Sequence, residues 1–265
     1  MNRSIPVLLL PLIIQAATAQ TPYKAPRGSG GKPDLNGIWQ AMNTANWDLT
    51  EHSSRAAFSS APGAIALGTI AAEPGGTGVV EGGAIPYLPE AKAKRDANFA
   101  NRLALDPEIR CYLPGIPRAN YMPYPFQIFH SEKAIFFAYQ FAGAVRNIFL
   151  KDPGPAPIDS WMGQSVGHWD GDTLVLDVTG LDERTWFDRA GDFHSDALHV
   201  VERFTPAGPD RLDYEATIED PKVFSRPWKI RVPLYRHVER NARLMEFKCV
   251  EFVEDLLYGQ FNKKP

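Results

Sequence analysis

The sequence predicts a mainly β protein: an antiparallel up-and-down barrel of lipocalin-like form, with long N-terminal loops and one short helix. Beyond Tyr121, short β-branched and aromatic runs recur between turn residues at even spacing, the pattern of an antiparallel meander. About ten strands joined by short connections leave exposed edges unless the sheet closes. A barrel is therefore the economical solution, and a two-sheet sandwich is the alternative. A barrel of that size has room for a ligand cavity.

Residues 1–19 read as an export leader: Arg3 supplies the positive start, "IPVLLLPLII" the apolar centre, and Ala17-Thr18-Ala19 the small-residue cleavage pattern. Its apolar run spans roughly ten residues and contains Pro11, too short and broken for a bilayer span, and no other stretch looks membrane-spanning. Residues 20–98 are rich in Gly, Pro, Ala and Ser, with "GSGGKP" and "EPGGTGVVEGGAIP" as extremes. They are expected to wrap the domain as loops that bury little core. Within them "DLNGIWQ", 34–40, is a turn and a first strand. "LPEAKAKRDANFANRLAL", 88–105, is the helix. The barrel domain is placed at 99–265.

Strands are expected near 126–131, 134–141, 145–150, 164–169, 172–179, 197–205, 211–219, 228–237 and 243–252. Asp170-Gly171 is the clearest hairpin turn, because a two-residue type I′ loop needs positive φ. "PAGPD" and "ERNA" turn the chain later.

Charge narrows the functional classes. The chain has 28 basic and 31 acidic side chains, formal charge −3, and losing Arg3 with the leader moves this to −4. That balance serves solubility and offers no basic field for nucleic acid. The two cysteines, Cys111 and Cys249, would meet an oxidising compartment after export, where a pair tends to be bridged provided its Cα atoms lie roughly 4.4–6.8 Å apart. A two-cysteine metal site is disfavoured, since neither has a second cysteine nearby.

Period-two alternation sorts side chains by face. Leu174, Leu176 and Val178 share one side of their strand; Thr173, Val175 and Asp177 share the other. Pairing 172 with 169 puts His168 on the Asp177 side. In the next hairpin His199, Val201 and Arg203 oppose Leu198, Val200, Glu202 and Phe204, and pairing 205 with 211 sets His199 across from Thr217 and Arg203 near Asp213. One face is plainly apolar. The other is either the solvated outside or the lining of a wet cavity where titratable groups would work.

"GDFHSDALHVVERF", 191–204, places His194 and Asp196 in a loop and His199 in the strand that follows, so the three could meet at a barrel rim. Three N/O ligands there would suit zinc or another divalent ion, although H-x-D-x-x-H is not the helical zinc motif. Acid–base use without metal is the other option. "GQSVG", 163–167, matches the nucleophile elbow, but Ser165 runs into a hairpin and not a helix, which argues against a serine hydrolase. Tyr121, Tyr124, Trp161 and Trp186, with His168, are candidates to wall a pocket for a flat apolar ligand, with Arg118 presenting a cation to it. No organic cofactor fingerprint is present.

"CYLPGIPR", "GHWDGDTLVLDVTGL", "HSDALHVVERF" and "ATIEDPKVFSRPW" together resemble a large family of exported bacterial proteins, most of them without an assigned reaction. "LNGIW" is similar to the start of lipocalin-like barrels. The resemblance implies export and a barrel, not a chemistry.

The residues themselves suggest an acid–base lyase or isomerase acting on a small hydrophobic or aromatic molecule. In that scheme His199 is the base, Asp177 or Asp196 orients it, His194 is the acid, and Arg118 or Arg203 stabilises negative charge. A periplasmic carrier of a hydrophobic ligand and a metal-dependent enzyme on His194, Asp196 and His199 are the alternatives.

Overall fold

The computed structural model describes residues 23–55, 73–253 and 256. The leader expected at 1–19 lies outside them. Nine strands form a closed barrel: β1 (Gly37–Ala41), β2 (Phe126–His130), β3 (Ile135–Tyr139), β4 (Val145–Phe149), β5 (Gln164–Asp170), β6 (Thr173–Thr179), β7 (His199–Gly208), β8 (Arg211–Glu219) and β9 (Trp228–Arg236). Each strand pairs with its sequence neighbours, and β1 closes on β9 through Trp39↔Arg236 and Ala41↔Leu234. The expected helix forms as α1 (Pro89–Ala100) with a short continuation, α2 (Arg102–Leu105).

Three features differ from the sequence reading. The run 243–252 forms no strand, although its residues alternate: β1 pairing with β9 leaves no free edge for it to join. The β4–β5 seam is parallel, with only Ile148↔Ser165 and Phe149↔Val166 in register. A parallel return needs a crossover of about a dozen residues, and the proline-rich stretch 150–163 supplies one. Finally, β1 comes from the loop-rich segment yet completes the barrel, so a boundary at 98/99 would remove a wall strand. That segment also contributes Leu35, Trp39, Ala45, Leu49 and Val80 to the core, more than its composition suggested.

Both hairpin registers sit two residues from expectation. Asp170 pairs with Thr173, so the turn is Gly171-Asp172, with Gly171 at φ +59°. Thr205 pairs with Asp213, after an irregularity between Pro206 and Gly208. A two-residue slip keeps every side chain on its face, so the sorting of inside from outside survives.

The bore is packed. Trp39, Phe126, Ile128, Phe137, Leu174, Leu176, Val178, Phe204, Tyr214, Ile218, Ile230 and Leu234 fill it, each nearly or wholly buried. The expected ligand cavity inside the barrel is therefore absent among the described residues. The described parts of the long connections after β1, β6 and β8 leave one rim and fold over it as a cap.

Candidate functional site

The titratable face is the outside of the barrel. His199 Nε2 lies 3.1 Å from Asp177 and its Nδ1 3.5 Å from Glu219, with side chains 34%, 51% and 46% exposed. Arg203 pairs with Asp170 at 2.8 Å and lies across from Glu215, not Asp213. His168 is exposed as well, across from Val175. The expectation that alternation steers His168, Asp177, His199 and Arg203 into a sheltered hollow is overturned, because the apolar phase took the interior.

His194, Asp196 and His199 do not meet. The His194 ring is buried: Nδ1 donates to the Ser195 carbonyl at 2.8 Å, and Nε2 accepts from the Thr185 hydroxyl at 2.6 Å. Burial lowers its pKa, so it is a neutral imidazole with both nitrogens satisfied. Asp196 points to solvent, where Lys222 at 2.5 Å holds its carboxyl below the usual range. Nothing is left to share a metal or a proton relay with His199.

The expected ligand contacts are spent inside the fold. Arg118 is 1% exposed, and its guanidinium bonds Asp106 at 2.9 and 3.1 Å, Glu108 at 2.6 Å and Asn46 at 2.8 Å. Burial opposes its charge, but Asp106 and Glu108 outweigh it and raise the pKa. Tyr121 donates to the Phe187 carbonyl at 2.7 Å. Tyr124 packs on Phe141 and Phe247, and Trp186 is buried in a bridge to Phe193. Trp161 lies between Tyr112 and the Arg184 guanidinium. These residues anchor the cap and do not line one pocket.

What the sequence reading missed is charge on the apolar phase. Arg146 lies in phase with Ile148, and Glu202 in phase with Val200 and Phe204, so both enter the bore. They pair there, 1% and 0% exposed. Glu202 Oε1 accepts from Asn120 at 2.6 Å and Tyr214 at 2.8 Å, and its Oε2 accepts from Arg146 Nη2. Arg146 Nε donates to Ser165 Oγ at 2.7 Å, and Tyr139 donates to Asn120 at 2.9 Å. Burial opposes the guanidinium's charge, yet Glu202 overcomes it and the pKa rises. Ser165 is thus a mid-strand acceptor and not a nucleophile on an elbow.

This network backs onto a cleft of about 290 Å³ lined by Val145, Arg146, Phe149, Ile158, Ser160 and Gln164, among others. The cleft lies where the β4–β5 seam opens: strand pairing starts at Ile148 and Ser165, and the residues before them diverge. Val145, Phe149 and Ile158 give it an exposed apolar rim. Small-molecule sites of roughly 300–1,000 Å³ combine such walls with a few placed polar groups.

A second buried cluster joins cap segments to one another. Asp48, Asp188 and Asp192 bring ligand-type oxygens within 4.8 Å, the one such group found among the described residues. Asp188 accepts three backbone N–H bonds, from Leu49, Ala190 and Asp192. Asp192 Oδ1 accepts from Tyr87 and Arg95, while its Oδ2 is buried without a partner. With Glu73, four carboxylates face Arg55, Arg95 and Arg102. One negative charge is left over, which a single proton cancels and a divalent ion would exceed. Burial, then Asp192, pushes the Asp188 pKa well up, consistent with one proton held between the two.

No protein-family model, curated protein or solved structure matches the chain. The site therefore rests on its own geometry.

Proposed function

We propose that the protein is an exported carrier of a small hydrophobic or aromatic molecule, held at the β4–β5 seam and not in the bore. The cleft carries this reading: apolar side chains left exposed at its rim, with a buried polar network behind it. The leader-like 1–19 stretch and the Cys111–Cys249 disulfide support export to a periplasmic or extracellular compartment. No described helix is long and apolar enough to cross a membrane. The acid–base lyase or isomerase reading has lost the enclosed site it requires, whereas a carrier needs no catalytic base.

Titration with phenol, benzyl alcohol, phenylacetamide and phenylacetate, followed by calorimetry and by NMR of the aromatic protons, tests it. Saturable one-to-one binding is expected, without turnover. It should be lost in Ser160→Trp, which fills the cleft from an exposed position. Binding indifferent to that change, or no binding by any of the four, contradicts the proposal. Product formation abolished by His199→Ala would replace it with the enzyme reading.

A further inference from the structure

A closed barrel has no free strand edge except where two neighbouring strands part. In this fold the registers put that exception at the start of β4. Tyr139 N–H donates to the Ala144 carbonyl at 2.8 Å, so the antiparallel β3–β4 ladder continues its hydrogen-bonded pairs at Phe137↔Arg146 and Ile135↔Ile148. Residues 145, 147 and 149 therefore turn their N–H and C=O groups the other way, toward β5. The parallel pairs Ile148↔Ser165 and Phe149↔Val166 take up the Asn147 carbonyl and both main-chain groups of Phe149. Both main-chain groups of Val145, with the Asn147 N–H, are left without a ladder partner beside the cleft. Arg146 borders the cleft although its side chain is buried in the bore, so main chain forms that wall.

The facing wall cannot supply the missing strand. Ser160 N–H donates to the Gly180 carbonyl at 2.9 Å, and the Ser160 carbonyl accepts from Asp182 at 2.9 Å and Gly163 at 3.2 Å. The crossover is thus tied to the connection after β6. What remains is a short edge on β4, one donor and one acceptor at Val145, next to the exposed side chains of Val145 and Ile158. Extended peptides bind such edges by adding a strand, with main-chain bonds for affinity and apolar pockets for choice of side chain.

We infer that the ligand of the cleft is an extended secondary amide, an N-acylated apolar amino acid or short apolar peptide, paired antiparallel with Val145. The inference rests on the reading that the cleft binds a small molecule, and it names the class. The ligand residue donates its N–H to the Val145 carbonyl, and its own carbonyl accepts from the Val145 N–H. A residue opposite Val145 shares its outward face, so an apolar side chain there lies beside Val145 and Ile158 and not against the packed bore. Arg146 is the one charged residue among those lining the cleft, and its side chain turns inward. A neutral main chain therefore suits the cleft better than a charged ligand, which would find no counter-ion there.

The test compares ligands before proteins, so it does not depend on a variant folding. N-acetylphenylalanine methylamide is titrated against the analogue with an ester oxygen in place of the phenylalanine N–H, using the full chain at pH 7. The amide should bind about three- to tenfold more tightly, the scale of one hydrogen bond. It should also slow hydrogen exchange at the Val145 N–H, followed by amide NMR, and Ser160→Trp should abolish both effects. Equal binding of amide and ester, or a Val145 N–H that exchanges as fast with the ligand as without it, overturns the inference. The carrier reading still stands in that case if one of the four aromatic probes binds and Ser160→Trp blocks it. An amide preference untouched by Ser160→Trp places the peptide elsewhere and overturns the inference too. No binding of the amide, the ester or any of the four probes up to about 10 mM overturns both readings.

Discussion

At residue scale, two buried groups give the protein opposite responses to acid. The fold favours the protonated Asp188–Asp192 pair, because the Asp188 pKa is raised above its ordinary 3.8. The folded state then binds the extra proton, and this contribution is fully present below 3.8 and lost as pH rises through the folded value. His194 runs the other way: its pKa is lowered from 6.5, so its contribution is present above 6.5 and lost as pH falls toward the folded value. Asp192→Asn imitates the protonated pair, since its amide can donate to Asp188 while its oxygen still accepts from Tyr87 and Arg95. Denaturation at pH 8 should show Asp192→Asn more stable than the parent by about 1–3 kcal/mol, the gain shrinking toward pH 5. An equal loss at both pH values would show that the pair holds no proton. Where charges sit was legible in the sequence, but which ones mattered was read the wrong way round. The polar phase of β7 looked functional because it carried His199 and Arg203, whereas Glu202 on the apolar phase was the exception that a folded interior has to satisfy.

At the scale of elements, the strands from β2 to β9 lie within a few residues of where alternation placed them, and β1 follows the Asp34-Leu35-Asn36 turn as expected. The parallel seam was not legible, because alternation does not encode strand direction; the length of 150–163 was its one trace. Gly167 shows how tight the paired part of that seam is. A Cβ there would sit 2.5 Å from Ile148 Cγ2 and 3.0 Å from Leu176 Cδ2. With only two residue pairs holding β4 to β5, Gly167→Ala cannot be absorbed locally. It should lower stability by about 1–3 kcal/mol in urea titration, the usual penalty of overpacking. An unchanged midpoint would mean the seam yields freely. The strand expected at 243–252 failed for a reason visible only in three dimensions, since closure of β1 on β9 had already consumed the edge.

Across the whole molecule, the Cys111–Cys249 bridge closes a span of 138 residues, with Cα atoms 5.6 Å apart. It fastens the extended tail after β9 to the segment before Arg118, and the Phe252 N–H adds a 2.8 Å bond to the Ile109 carbonyl. Sequence could name the two thiols but not their spacing, which depends on where the tail runs. Replacing both cysteines by serine should cost about 2–5 kcal/mol, and reductant should reproduce that loss only in the parent. A parent melting temperature unmoved by reductant would show the bridge contributes little. The cap, the packed bore and the open seam together leave the outside of the barrel as a solvated surface and the seam as the place we propose for a ligand.

The most direct test of that division is a binding comparison of two variants, Ser160→Trp in the seam and His199→Ala on the outer wall, using phenylacetate as the probe. Loss of binding in the first with the second matching the parent is the predicted result. Loss in the second with the first unaffected would return the functional surface to the polar wall.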